Sequence, residues 1–245
     1  MQPNYNIQDI CSVIKADWKV NRNNTINSIK KIYKDSGQDI FLDKDDQEYY
    51  LSAIYSIVKT IRPEQVIQTG TFIGGTLVSM IAAFKENNID GFIDTIDPEP
   101  PFYGDGIVKN PVNVAKMVVQ RNSFSERINF LKGYSVKAWD KDRIELTNVP
   151  EGVLIRLAKN QYADFLIIDG DHTYEGTFWD LEIGSRALKP GGARFIFVHD
   201  YASIPDVRNA IKTWKKIHKD KILFRANNER NGFALIQCLP EFFVK

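Results

Sequence analysis

The chain's reactive side chains gather in two short segments. Ile168-Asp169-Gly170-Asp171-His172-Thr173-Tyr174-Glu175-Gly176 and Phe197-Val198-His199-Asp200-Tyr201 together hold two of the three histidines. Carboxylate oxygens with an occasional imidazole suit a hard divalent cation such as Mg²⁺, Mn²⁺ or Ca²⁺ better than zinc. An imidazole with an ordinary pKa near 6.5 also suits proton transfer at neutral pH. The plainer alternatives are that Asp169 and Asp200 contact a ligand or backbone, and that His172 caps the helix after it. A second set of residues begins with the apolar run Gln65–Thr69, which leads into Gly70-Thr71-Phe72-Ile73-Gly74-Gly75-Thr76. Glycines at the end of a strand permit a tight turn and close backbone approach to a ligand, and the following helix offers free N–H groups. Asp97 lies about twenty residues beyond, at the tip of the next apolar run, where a carboxylate can accept both hydroxyls of a ribose. A structural turn, and a cap before Pro98, are the alternatives for these two features.

These residues need a scaffold. Short apolar runs at 65–69, 92–96, 128–132, 164–168 and 194–198 read as strands, with further candidates at 221–225 and 232–238. Amphipathic segments at 75–87, 110–122, 151–160, 174–188 and 205–219 read as helices between them. That alternation predicts an α/β fold with a mostly parallel sheet covered by helices on both faces. In such a sheet the strands ending at Asp169 and Asp200 are neighbours, and ligands collect outside their carboxyl ends. Three more helices, over about 7–18, 23–35 and 44–60, precede the first strand. We therefore expect an N-terminal helical extension over 1–60 and one compact domain over 61–245. The segment 98–113, rich in proline and glycine, and the charged segment 139–150 read as long loops, the first a candidate lid. Asp180 and Glu182 read as the polar face of their helix, Phe178 and Trp179 as packing, and His218 in Lys215-Lys216-Ile217-His218-Lys219 as solvated surface.

Bulk properties narrow the field. The 245 residues carry a formal net charge of +1, which gives no global electrostatic case for nucleic acid or an anionic membrane. No apolar stretch approaches the roughly 20 residues that span a bilayer, and the N-terminus lacks a signal-peptide pattern. Cys11 and Cys238 read as reduced packing residues, consistent with a cytoplasmic protein.

The strand, Gly70-x-x-x-Gly74, helix and Asp97 together resemble the first two motifs of the class I methyltransferases. The Asp169–Gly176 segment, Leu188-Lys189-Pro190-Gly191-Gly192 and Phe197–Tyr201 narrow the resemblance to small-molecule O-methyltransferases of the bacterial natural-product and sugar group, and more distantly to the catechol type. It spans about 45–238. It implies a Rossmann-like seven-stranded sheet and transfer of a methyl group from S-adenosylmethionine to a hydroxyl of a small molecule. It further implies a cofactor site built from Gln68, Gly70, Thr71, Gly74, Gly75, Thr76, Asp97, Ser135 and Asp169, with Ser135 beside the adenine. By the same resemblance Asp169, His199 and Asp200 are the ligands for Mg²⁺ (or Mn²⁺ or Ca²⁺), and His172 is the general base. Gln68 departs from the acidic residue usual there, and Tyr201 from the amide ligand of the catechol type. Glu99-Pro100-Pro101-Phe102 resembles a motif of nucleic-acid amino methyltransferases, but it follows the second strand where theirs follows the fourth. Two other readings stand beside this one: a cofactor-binding protein of the same fold with a different or lost reaction, and a metal-dependent hydrolase, which would leave Gly70–Gly75 and Asp97 without a role. The helices before residue 60 either cover the site or form a homodimer interface.

Overall fold

The computed structural model describes residues 5–20, 22–35, 45–103, 108–137, 151–191, 194–229 and 231–244. Helices α1 (Ile7–Val20), α2 (Arg22–Asp35) and α3 (Asp45–Ile61) precede strand β1 (Gln65–Thr69). Next come α4 (Gly75–Asn87), β2 (Phe92–Asp97), the short strands β3 (Phe102–Tyr103) and β4 (Val108–Lys109), α5 (Pro111–Arg121) and β5 (Ile128–Lys132). The remainder runs α6 (Val153–Ala158), β6 (Phe165–Ile168), α7 (Tyr174–Gly184), β7 (Arg194–His199), α8 (Pro205–Ile217), β8 (Ile222–Asn227) and β9 (Phe233–Cys238).

Seven strands form one mixed sheet in the order β5-β2-β1-β6-β7-β9-β8. Strand β6 lies parallel to both β1 and β7, with Ile168 opposite Thr69 on one side and Val198 on the other. Every residue of β6 and β9, and all but the first of β1 and β7, is buried. That is why these strands read as continuous apolar runs and not as alternating ones. Strand β9 runs antiparallel to its neighbours β7 and β8.

The chain divides into two compact units, Met1–Glu64, Thr71–Ile93 and Glu99–Phe130 in the first, and Gln65–Gly70, Asp94–Pro98 and Leu131–Lys245 in the second. In the first unit α4 is buried from Thr76 to Phe84, so it is apolar on every side and has no polar face for the sequence to reveal. Ser79 within it donates to the carbonyl of Leu51 on α3. Lys59 of α3 pairs with Asp17 of α1 at 3.3 Å. In the second unit Ile67, Leu166, Leu181, Ile196, Trp214 and Ile236 form a core with essentially no exposure. Burying each such side chain contributes roughly 1.5–3 kcal/mol. Part of the loop expected at 98–113 is instead ordered, as β3 pairs antiparallel with β4. The loop expected at 139–150 lies outside the described residues. No helix among the described residues is long and apolar enough to cross a membrane.

Candidate active site

Asp169 directly follows β6 and Asp200 directly follows β7, and the parallel register of these strands brings the two carboxylates to one place. His199 Nδ1 stands between them, 3.0 Å from Asp169 Oδ1 and 3.3 Å from Asp200 Oδ2. His172 Nε2 reaches the same atoms at 3.4 and 3.5 Å. The side chain of His172 is 32% exposed against 10% for His199, so His172 is the imidazole with access to a ligand. Asp200 has a φ of 58°, a left-handed conformation that a carboxyl residue tolerates and that marks local strain at a constructed site. Ser203 Oγ donates to its Oδ1 at 2.9 Å, which leaves Oδ2 turned to the imidazoles.

Burial alone would discharge these groups, but their mutual attraction dominates. For Asp169 burial pushes the carboxyl up, yet His199 and His172 beside it hold it at about 2. For His199 burial pushes the ring down, yet Asp169 and Asp200 raise it to about 10. His172 moves up in the same way, chiefly against burial and through Asp169. Asp200 moves down, against burial, through His199. Asp169, His199 and Asp200 are thus held toward their charged forms, and His172 is drawn the same way while keeping access to a ligand. Asp169, His199 and Asp200 each offer one ligand atom, all within 4.8 Å of one another.

The residues around the cluster are set by the sequence Asp171–Gly176. Asp171 Oδ1 accepts from the Thr173 amide at 2.9 Å, and Thr173 Oγ1 caps α7 by accepting from Gly176 N at 3.0 Å. A Cβ on Gly176 would lie 2.4 Å from Asp171 Oδ2, so only glycine fits there. Asp171 therefore shapes the start of α7 and is not among the residues bonded to the imidazoles.

Gly70, the first residue of the glycine turn, lies next to this cluster within the second unit. Gly70 has a φ of 81°, and a Cβ on it would stand 2.0 Å from the carbonyl oxygen of Asp169. Its amide donates to Ile96 O at 2.9 Å, and the Gly133 amide donates to Asp97 O at 3.0 Å. These bonds gather the ends of β1, β2 and β5. Asp97 is 9% exposed at the tip of β2. Gln68 is 1% exposed; its Nε2 donates to the Gly70 carbonyl, and its buried Oε1 has no hydrogen-bond partner. Thr71, Gly74, Gly75 and Thr76 belong to the first unit, where the Gly74 amide donates to Thr71 O at 2.9 Å and Gly74 precedes α4 in a left-handed conformation without a side-chain cap. The first amides of α4 are consequently left without that partner.

Two side chains differ from their expected places. Asp180 does not face solvent: it is 1% exposed and accepts a hydrogen bond from the Ser135 hydroxyl. The signal was its spacing, since Gly176, Asp180 and Gly184 recur every four residues along the buried stripe of α7. Small residues at that period let the helix approach β6, where a Cβ on Gly184 would meet Leu166 at 2.6 Å. His218 is not solvated surface either. Its ring packs on Trp214 with centroids 4.5 Å apart, and its Nε2 lies 3.2 Å from Glu182. Phe178 and Trp179 do pack together, edge to face, against the core.

Structures of known proteins share this fold at low sequence identity. The O-methyltransferase from Bacillus cereus, solved with S-adenosylhomocysteine, superposes with a TM-score of 0.56 at 12% identity, over 93% of this chain and 97% of that one. The O-methyltransferase TomG of tomaymycin synthesis from Streptomyces achromogenes, solved with S-adenosylmethionine, gives 0.54 at 8% identity over 88% and 89%. A methyltransferase from Podospora anserina, bound to S-adenosylhomocysteine, gives 0.54 at 11% identity over 97% and 98%. No curated protein matches the chain in sequence. The family described as a methyltransferase domain matches residues 67–201, a span that takes in the glycine turn, both paired carboxylates and both of their imidazoles. That match covers more than half of the chain, so the chain belongs to the methyltransferase-domain family.

Proposed function

We propose that this chain transfers the methyl group of S-adenosylmethionine to a hydroxyl oxygen of a small molecule. One observation carries the reading. The backbone of Asp169 abuts the glycine turn at Gly70 while its carboxylate joins the imidazole cluster, so a nucleotide-type turn and a proton-accepting site meet in one residue. The cofactors bound in the Bacillus and Streptomyces structures support the choice of cofactor. The methyltransferase domain would occupy 61–245, after a helical extension over 1–60.

Gln68, Gly70, Thr71, Gly74, Gly75, Thr76, Asp97, Ser135 and Asp169 would hold the cofactor. Asp97 would accept the ribose hydroxyls, and Gln68 Oε1, buried without a partner, would gain one at the amino-acid end. The acceptor hydroxyl would give its proton to His172 as its oxygen attacks the methyl carbon. The carbon–sulfur bond breaks toward sulfur, leaving a methyl ether, S-adenosylhomocysteine and protonated His172. Two carboxylate oxygens and, once its proton is displaced, one imidazole nitrogen fit Mg²⁺, Mn²⁺ or Ca²⁺, so Asp169, His199 and Asp200 would hold such an ion. When bound it supplies Lewis acidity toward the acceptor hydroxyl.

The test is to incubate the protein with methyl-labelled S-adenosylmethionine and Mg²⁺ against a panel of phenols, sugars and hydroxy acids. Label should appear in a hydroxyl acceptor with equal release of S-adenosylhomocysteine. Failure to bind S-adenosylhomocysteine by calorimetry would overturn the reading.

A further inference from the structure

A carboxylic acid stands in the interior of the second unit where an apolar side chain would pack at no electrostatic cost. Asp180 is buried beside Thr69 at the end of β1 and Ser135 in the loop after β5, with Leu181 and Gly184 of the same stripe also buried. No cationic side chain among the described residues pairs with it. Burial raises its carboxyl to about 7, while the Ser135 and Thr69 hydroxyls beside it pull the other way. A buried polar group of this kind is held by its hydrogen bonds or not at all.

The bond it makes is directed at one loop. Ser135 Oγ donates to Asp180 Oδ1. The main chain of that loop is already fixed from the other side: Val153 N donates to Tyr134 O at 2.9 Å and Leu154 N to Ser135 O at 2.7 Å. A Cβ on Gly152 would strike the carbonyls of Ser135 and Val136 at 2.5 and 2.3 Å, so the loop and α6 are in closest contact there. The backbone bonds set where the loop lies. The rotamer of the Ser135 side chain, and the loop face it presents, are set by Asp180.

We infer that Asp180 is a positioning residue for the cofactor pocket, acting through the Ser135 hydroxyl to set the face that the Gly133–Ser135 loop presents to the nucleobase. This rests on the proposed placement of Ser135 at the cofactor, and the experiment separates the two. Asp180→Val keeps the shape and deletes the acceptor; Asp180→Asn keeps an acceptor oxygen. The Kd for S-adenosylhomocysteine should rise about tenfold in Asp180→Val and in Ser135→Ala, the scale of one lost hydrogen bond to a buried polar group. The double variant should be no weaker than the weaker single, and Asp180→Asn should restore affinity to within about threefold. The KM for S-adenosylmethionine should rise while kcat at saturation holds, a split that general loss of structure does not produce. If Ser135→Ala weakens binding and Asp180→Val does not, or if the two effects multiply, the inference fails and the cofactor reading stands. If neither weakens binding, the placement of Ser135 fails and takes the inference with it. Should Asp180→Val not fold, Asp180→Ser, too short to reach Ser135, replaces it with the same expected and overturning results.

Discussion

At the carboxyl ends of β6 and β7 the polar side chains are opposite charges paired with one another; Gln68 and Thr69 at the end of β1 and Ser135 beyond β5, in the same unit, are neutral. Asp169, His199 and Asp200 hold their charges because each carboxylate faces an imidazole, and His172 is drawn toward its charged form by the same carboxylates. Gln68, Thr69 and Ser135 carry no charge, and Asp180 tends toward its neutral form. The difference fits two tasks. Fixed charge stabilises charge that develops during a reaction, and its reorganisation is complete before the reaction starts. A neutral, buried rim accepts a ligand that brings its own charge without first breaking ion pairs. The two regions meet at the contact of Gly70 with Asp169.

The comparison breaks most readily at the ionic end. If Asp169, His199 and Asp200 hold a divalent cation, exhaustive treatment with EDTA should abolish methyl transfer and Mg²⁺ should restore it, measured as release of S-adenosylhomocysteine. Full turnover after chelation would leave His199 as the permanent counterion of the two carboxylates. His172→Ala should lower kcat by about 10²–10⁴, the usual worth of a positioned proton acceptor, with Kd for S-adenosylhomocysteine nearly unchanged. The ring must be neutral to take a proton, and its carboxylate partners favour the charged form. Wild-type kcat should therefore rise with pH through the neutral range, and that rise should disappear in the variant. Normal turnover in His172→Ala would reduce His172 to a residue at the start of α7.

Asp180 tests the neutral end. An acid raised from 3.8 to about 7 binds its proton more tightly when folded than when unfolded. Between those values the folded state holds more protons, so stability is lost as pH climbs through the window. Relative to Asp180→Asn, the wild type should lose on the order of 4 kcal/mol between about pH 4 and pH 8, measured by urea unfolding. Parallel pH profiles for the two proteins would mean that Asp180 ionises freely, and that this end is charged after all. Asp97 is the smaller test. Its replacement by Ala should weaken S-adenosylmethionine by about 1–3 kcal/mol in calorimetry, and unchanged affinity would remove it from the ribose.

The strands, the helices and the ionic cluster were legible in the sequence, and Gln68 and Ser135 were singled out there, but Asp180 was not. Asp169 and Asp200 each stand immediately after an unbroken apolar run, so the parallel sheet alone brings them together. Asp180 has no such marker, because a carboxylate on a helix reads as solvent-facing unless its i±4 neighbours are small. Gly176 and Gly184 supplied that pattern, but a glycine inside a helix is read first as a weak point and only second as a close contact. His218 went wrong for a related reason. The lysines around it describe the outer face of α8, while Trp214, one turn back, belongs to the core.

The smallest expected effect concerns Gln68, which stands where the resemblance implies a carboxylate. Its two polar atoms do different things: Nε2 braces the Gly70 carbonyl, and Oε1 is buried without a partner. Gln68→Met keeps the side chain's length and removes both. Losing the brace destabilises the protein, and removing an unsatisfied buried oxygen stabilises it. Each effect is about 1 kcal/mol, so the melting temperature should barely move. Binding should not show that cancellation. If Oε1 waits for the ammonium of the cofactor's amino-acid end, Kd for S-adenosylhomocysteine should rise roughly threefold to tenfold, the scale of an ordinary net hydrogen bond. If affinity is unchanged while stability falls, Gln68 only braces the turn, and the amino-acid end is recognised by other groups.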